Sequence, residues 1–176
     1  MSKGLKKGFV QVYTGNGKGK STAAFGMAMR AAGAGLRVFL GQFIKKGRFS
    51  EIKALSCFGD SIKICQFGRG CFIGTEASSI DRSLARKGLE EAEAEMLSGN
   101  YDLVILDEAN CAVWKGLFTA DDLLKVISRK PDKVEMIITG RNADPRVIDF
   151  ADLVTEMREI RHYSEKGVPA RKGIEF

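Results

Sequence analysis

Thr14-Gly15-Asn16-Gly17-Lys18-Gly19-Lys20-Ser21-Thr22 follows a short apolar run, Phe9-Val10-Gln11-Val12-Tyr13, and opens into Ala23-Ala24-Phe25-Gly26-Met27-Ala28-Met29. The run reads as a strand and the alanine-rich stretch as a helix. Strand, glycine-rich loop, Gly-Lys-Ser-Thr, helix is the layout of a phosphate-binding loop. Glycines let the backbone turn so that several N–H groups face one concavity. The free N–H groups and positive end of the following helix add to that anion site. Lys20 brings a mobile charge for phosphate oxygens, and the hydroxyl of Ser21 or Thr22 can ligate Mg²⁺. Residues Thr14 to Thr22 therefore predict a bound nucleoside triphosphate. The common pattern G-x-x-x-x-G-K-[ST] would put glycine where Thr14 stands. Here the first glycine is Gly15, one residue later, so the loop is shorter before Gly19.

A second segment points the same way. Tyr101-Asp102-Leu103-Val104-Ile105-Leu106-Asp107-Glu108 is a near-continuous apolar strand ending in an acidic pair. Such a strand places a carboxylate beside a phosphate loop, where it holds Mg²⁺ directly or through water. Either Asp107 or Glu108 suits that part.

Between and beyond these segments, strands and helices alternate. Arg37 to Ile44 reads as a strand apolar on both faces, as a sheet covered on both sides requires. Phe49 to Phe58 reads as a short helix, and Ile62 to Phe67 as an alternating strand. Gly68 to Thr75 is a glycine-punctuated loop carrying Cys71, Phe72 and Ile73. Ser78 and Asp81 have the spacing of a capping box for a helix running to Ser98, with Ala85, Leu89, Ala92 and Met96 on its core face. Thr119 and Asp122 start another helix, ending near Ser128. Val134 to Gly140 is a strand, Asp144-Pro145 an N-cap with proline at the first helical position, and Leu153 to Arg158 a last strand. The predicted fold is α/β, a phosphate-loop NTPase-like (RecA-like), mostly parallel sheet flanked by helices, with ligands at the carboxyl ends of the strands.

With 176 residues, the chain has the length of one domain spanning 1–176, with a basic N-terminal segment (1–7) and a polar C-terminal tail (163–176). No apolar stretch approaches the roughly 20 residues needed to cross a bilayer. Residues 1–7 lack the apolar segment and cleavage site of a secretory signal, so cytoplasmic residence without membrane association is expected. The net charge of +6 suits an anionic ligand. Basic clusters at Lys45, Lys46, Arg48 and at Lys166, Arg171, Lys172 are not interleaved with aromatics, so nucleic acid is not an expected partner. Cys57, Cys65, Cys71 and Cys111 form no C-x-x-C pair and His162 stands alone, which argues against structural zinc and a disulfide framework.

On the loop, Gln42-Phe43-Ile44-Lys45, Leu106-Asp107-Glu108, Ile137-Ile138-Thr139-Gly140-Arg141 and the terminal Lys172-Gly173-Ile174, the chain resembles the ATP:corrinoid adenosyltransferases, from about Lys7 to its end. The resemblance implies ATP as co-substrate, Mg²⁺, and a corrinoid (cobalamin or cobyrinic acid a,c-diamide) as acceptor. Co(I) attacks the 5′ carbon of the ribose and tripolyphosphate leaves. The cofactor carries the nucleophile, so the protein must align carbon with cobalt and stabilise charge on the departing triphosphate. The resemblance assigns nucleotide contact to Thr14, Gly15, Asn16, Gly17, Lys18, Gly19, Lys20, Ser21 and Thr22. It gives Lys20 and Glu108 catalytic parts, Ser21, Asp107 and Glu108 the Mg²⁺, and Arg141 a phosphate or corrinoid contact. It also implies a homodimer and a reduced flavoprotein as electron donor. Many members carry phenylalanine and tryptophan in the loop aligned with Gly70 to Thr75, pressing on the corrin and displacing its axial base. Here tryptophan is missing, so either Phe72, helped by Ile73, fills that part, or the enzyme takes an incomplete corrinoid with no base to displace. Two other readings fit the loop alone: a small-molecule kinase yielding ADP, and a non-enzymatic nucleotide-dependent binding protein.

Overall fold

A computed structural model describes residues 4–47, 49–69 and 77–175. Six strands form one all-parallel sheet: β1 (Val10–Thr14), β2 (Val38–Ile44), β3 (Ile62–Gly68), β4 (Leu103–Asp107), β5 (Glu135–Thr139) and β6 (Leu153–Glu156). Their spatial order is β3-β2-β4-β5-β1-β6. The strand that carries the phosphate loop and the one that carries the acidic pair are thus separated by β5 alone, which brings Thr139 and Arg141 between them. The expected α/β architecture with a parallel sheet is what the chain adopts.

Helices are α1 (Lys20–Gly33), α2 (Ser50–Leu55), α3 (Ser79–Leu97), α4 (Ala109–Trp114), α5 (Ala120–Ser128) and α6 (Pro145–Phe150). Alternate strand residues point to opposite faces. Leu103 and Ile105 of β4 pack with Ala24, Phe25, Ala28 and Ala31 of α1, while Val104 and Leu106 face the layer built from α3, α4, α5 and α6. Ala85, Leu89, Ala92 and Met96 of α3 are all buried on that face, as their spacing predicts. Both expected capping boxes form: Ser78 with Asp81 on α3, and Thr119 with Asp122 on α5. Asp144 caps α6 ahead of Pro145.

The strand expected over Tyr101 to Glu108 is trimmed to Leu103–Asp107, and two further boundaries and one whole helix differ from the sequence expectation. The helix expected over Phe49 to Phe58 stops at Leu55 and continues as short 3-10 turns, Ser56–Ser61, broken at Gly59 with φ of 54°. The last strand ends at Glu156, because Met157 and Arg158 leave the ladder to lie along the phosphate loop. Helix α4 (Ala109–Trp114) has no counterpart in the sequence expectation. In the polar tail, a 3-10 turn at Tyr163–Lys166 leads the chain back to Lys18. Among the described residues no helix is long and apolar enough to cross a membrane.

Candidate functional site

The loop after β1 is shaped by the chain that follows β6. The Gly17 N–H donates to the Met157 carbonyl (2.6 Å), and the Met157 N–H to the Thr14 carbonyl (2.9 Å). A Cβ on Gly15 would stand 2.5 Å from the Met157 carbonyl oxygen, and one on Gly17 would stand 2.7 Å from it. Both positions must therefore be glycine for this approach. Gly19 then starts α1 with no side-chain cap, and no acidic residue occupies the first turn. The first N–H groups of a 14-residue helix are left with their positive end open to an anion.

Lys20 lies over this loop, its Nζ donating to the carbonyls of Gly15 and Gly17, each at 2.7 Å. Burial lowers its pKa, Arg141 lowers it further, and Glu108 opposes both. The structure therefore brings Lys20, Arg141 and Glu108 into one electrostatic neighbourhood. Ser21 is half-buried at the start of α1, and Thr22 is exposed. Lys18 is engaged elsewhere: its Nζ donates to the Tyr163 hydroxyl (2.9 Å), the Ile174 carbonyl (3.0 Å) and Glu175 Oε1 (2.8 Å).

The two carboxylates of the acidic pair differ sharply. Asp107 is fully buried. Its Oδ2 accepts from Gln42 Nε2 (2.9 Å) and its Oδ1 from the Thr139 hydroxyl (2.7 Å). Thr139 Oγ1 in turn accepts the Glu108 N–H (3.0 Å), and Gln42 Oε1 accepts from Gln66 Nε2 (2.8 Å). One polar chain therefore ties the carboxyl ends of β3, β2, β4 and β5 together. Buried networks of this kind hold rigidly only when every member is satisfied.

Glu108 stands just past β4 in the left-handed region, φ 62°, and forms an ion pair with Lys45 at 3.1 Å. Burial pushes its carboxyl up, but Lys45, with the Cys111 thiol and Lys20, outweighs burial and holds it below the ordinary range. Burial likewise works against the Lys45 ammonium, and Glu108 and Asp107 raise its pKa overall. Lys45 is aimed by a tight turn in which its N–H donates to the Phe43 carbonyl (2.6 Å) around Ile44, whose φ is 67°. Positive φ is rare for a β-branched residue, and such backbone concentrates at functional sites. Cys111, on the first turn of α4, accepts the Arg141 N–H (3.1 Å); burial and then Glu108 push its thiol up to about 12.

In the sequence Gln42 and Thr139 stand inside motifs, Lys45 in a motif and a basic cluster, and Gln66 and Cys111 carry no mark of a place in the site. Nothing local signals the contacts of Gln42 with Asp107 and Gln66, of Lys45 with Glu108, of Thr139 with Asp107 or of Cys111 with Arg141, because each joins residues 24 or more positions apart. Thr14 is buried and accepts the Ala143 N–H (3.4 Å), and Asn16 is exposed. Phe72 and Ile73 lie outside the described residues.

The site's oxygen donors are hard ones: the Ser21 hydroxyl at the start of α1, and the Asp107 and Glu108 carboxylates at the carboxyl end of β4. That set fits Mg²⁺, which is commonly held by one or two carboxylates, a hydroxyl and phosphate oxygens while keeping several waters. Among the described residues no group of three or more His, Cys, Asp or Glu is placed to hold a metal by itself.

The model of the family described as ATP:corrinoid adenosyltransferase BtuR/CobO/CobP matches residues 6–176. The chain is similar to the corrinoid adenosyltransferase of Pseudomonas aeruginosa, with 36% identity over 172 residues covering 97% of this chain and 85% of that protein. A Sinorhizobium corrinoid adenosyltransferase is 36% identical over 177 residues, covering 97% and 81% respectively. The Escherichia coli K12 corrinoid adenosyltransferase is 32% identical over 173 residues, covering 97% and 87%.

Proposed function

Because the chain belongs to the ATP:corrinoid adenosyltransferase family, we propose that it transfers the 5′-deoxyadenosyl group of ATP to Co(I) of a corrinoid and releases tripolyphosphate. Cobalt supplies the electron pair of the new Co–C bond, the C5′–O bond breaks, and its electrons leave with the triphosphate oxygen. Cobalt is thereby formally oxidised from +1 to +3.

The observation that carries this reading is the charge around the loop. Lys20, Arg141 and Lys45 are cationic neighbours, and the half-buried carboxylate among them, Glu108, is ion-paired with its pKa depressed. A carboxylate held below its ordinary range is a weaker general base. The arrangement suits stabilising a departing polyanion better than activating water or a hydroxyl. The uncapped N–H groups at the start of α1, and Lys20 once it leaves the Gly15 and Gly17 carbonyls, take the charge that grows on the leaving group.

Mg²⁺, when bound, neutralises part of the triphosphate charge. Ser21 and Glu108 would hold it, and Asp107, with both oxygens already accepting hydrogen bonds, orients the Glu108 backbone through Thr139. Arg141 is assigned to the phosphate side by its nearness to Lys20. Phe72 is assigned to the corrin side from its place in the sequence, so Phe72→Ala slows cobalamin adenosylation more than ATP binding. A reduced flavoprotein as donor, a homodimer and a cytoplasmic site of action complete the proposal.

Anaerobic incubation with ATP, Mg²⁺ and chemically reduced corrinoid tests the reaction. A light-sensitive Co–C bond with tripolyphosphate as the phosphorus product is expected. ADP with an unalkylated corrinoid would point to phosphoryl transfer instead.

A further inference from the structure

Lys18 sits in the middle of the phosphate loop, yet the C-terminal segment saturates it. An ammonium has three N–H donors. All three are taken, by the Tyr163 hydroxyl, the Ile174 carbonyl and the Glu175 carboxylate, at 2.9, 3.0 and 2.8 Å. The Tyr163 hydroxyl also donates to Glu175. The other Glu175 oxygen accepts the Arg171 N–H at 2.7 Å, and the Arg171 guanidinium reaches the same carboxylate. Lys18 and Arg171 both lie over the Tyr163 ring, at 5.6 and 4.9 Å from its centroid. The hydrogen bond from Lys18 above all, and then that from Tyr163, hold the Glu175 carboxyl far below its usual range, so it stays ionised. Next to Lys18, the Gly17 N–H is tied to the Met157 carbonyl. Two consecutive loop residues are therefore anchored to the last fifth of the chain.

We propose that the segment Tyr163 to Glu175 is a positioning element of the phosphate loop and that Glu175, acting through Lys18, is its positioning residue. The physical need lies in the loop's composition. Gly15, Gly17 and Gly19 fall within five positions, and glycine loses more backbone freedom on ordering than any other residue. A loop ordered only when its anion arrives gives up binding free energy to that ordering, whereas a loop already held does not. Lys18 is the handle by which the tail holds it, while Lys20 rests on the loop's own Gly15 and Gly17 carbonyls. An isolated exposed ion pair would contribute little to global stability, so the effect appears in ligand affinity. The inference rests on the functional reading above only in taking this loop as the triphosphate site.

Calorimetric titration of the full-length chain with inorganic tripolyphosphate and Mg²⁺ tests it without requiring turnover. Glu175→Gln and Lys18→Met are each expected to weaken affinity about tenfold, which corresponds to about 1.4 kcal/mol. The double variant is expected to be no weaker than either single one, because both changes remove the same link. Tyr163→Phe, a milder change, is expected to weaken binding by about threefold, on the scale of one hydrogen bond. In turnover the Glu175→Gln loss is expected in KM for ATP rather than in kcat. Unchanged or tighter binding by Glu175→Gln would overturn the proposal, since Lys18 would then be a phosphate ligand that the tail obstructs. Additive losses in the double variant would overturn it as well. Failure of the adenosyl-transfer assay with this binding pattern intact would sink only the reaction.

Discussion

The Lys45 ammonium and the Glu108 carboxylate meet at 3.1 Å across the carboxyl ends of neighbouring strands, and left-handed backbone delivers both. Ile44, just before Lys45, has φ 67°, and Glu108 itself has φ 62°. Residues held in that region cost about 1–3 kcal/mol each, so the surrounding structure must over-determine them. Gly68 makes room for the turn: a Cβ there would stand 2.1 Å from the Ile44 carbonyl oxygen. Strain on both sides of one ion pair argues that the pair's position matters more than its contribution to stability.

Lys45→Met should leave Glu108 half-buried without its main partner. With the side chains 37% and 20% exposed, solvent screening limits the loss. We expect about 1–2 kcal/mol, read as a lower urea midpoint. The double variant Lys45→Met/Glu108→Gln should recover part of it. A coupling energy below about 0.3 kcal/mol in that cycle would deny the pair any energetic role.

Asp107→Asn tests the polar chain behind the site. Gly47 fixes its direction, because the Gly47 N–H donates to Gln66 Oε1 and the Gly47 carbonyl accepts from Gln66 Nε2. Gln66 so oriented donates to Gln42 Oε1, which leaves the Gln42 amide nitrogen to donate to Asp107. An asparagine would meet two donors, Gln42 and Thr139, with only one oxygen. A buried donor left unmatched costs about 1–3 kcal/mol, so the urea midpoint should fall accordingly. Full stability in Asp107→Asn would mean that the amides reorient at no cost, against the polarity set by Gly47.

The Asp81 carboxylate gives a pH signature. It accepts from Arg69 Nε at 2.7 Å and Arg69 Nη2 at 2.9 Å, and it also caps α3 with Ser78. Arg69 first, and Ser78 next, lower its pKa from 3.8 to about 2. A depressed carboxyl value stabilises the fold above the unfolded value and loses that contribution as pH falls through the folded one. Stability should therefore drop by about 1–2 kcal/mol between pH 4 and pH 2, after allowance for the exposed Arg69 side. In Asp81→Asn this part of the slope should vanish. An identical acid slope in both proteins would remove Asp81 from the account.

The sequence made some of this legible and hid the rest for physical reasons. The phosphate loop, the acidic strand and both capping boxes are local patterns, so residues within a few positions of one another reveal them. Helix α4 carries no such mark. Its N-cap is Glu108 in a left-handed conformation, with no side-chain cap bond, and its first residues are Ala109, Asn110 and Cys111. The capture of Lys18 by Glu175 joins residues 157 positions apart, and only the strand order brings them together. The same holds for Gln42 with Asp107, 65 apart, where β2 and β4 must first be neighbours. The functional family was readable earlier than the site geometry, because its motifs are contiguous while the contacts among them are not.

Cys111 offers a reporter of the Glu108 environment that needs no substrate. Its thiol is pushed up to about 12, by burial first and by the Glu108 carboxylate second. The thiolate is the nucleophile, so Cys111 should alkylate slowly at neutral pH, while Cys57 is exposed and available. In a chain whose other cysteines are replaced by serine, Glu108→Gln removes the second cause and leaves the first. Each unit of pKa changes the thiolate fraction about tenfold, so iodoacetamide should modify this variant about three to ten times faster than its parent. Lys45→Met should shift the rate in the opposite direction or leave it unchanged, because it leaves the Glu108 charge less compensated. Equal rates with and without the Glu108 carboxylate would mean that the thiol does not sense it, and that burial alone governs Cys111.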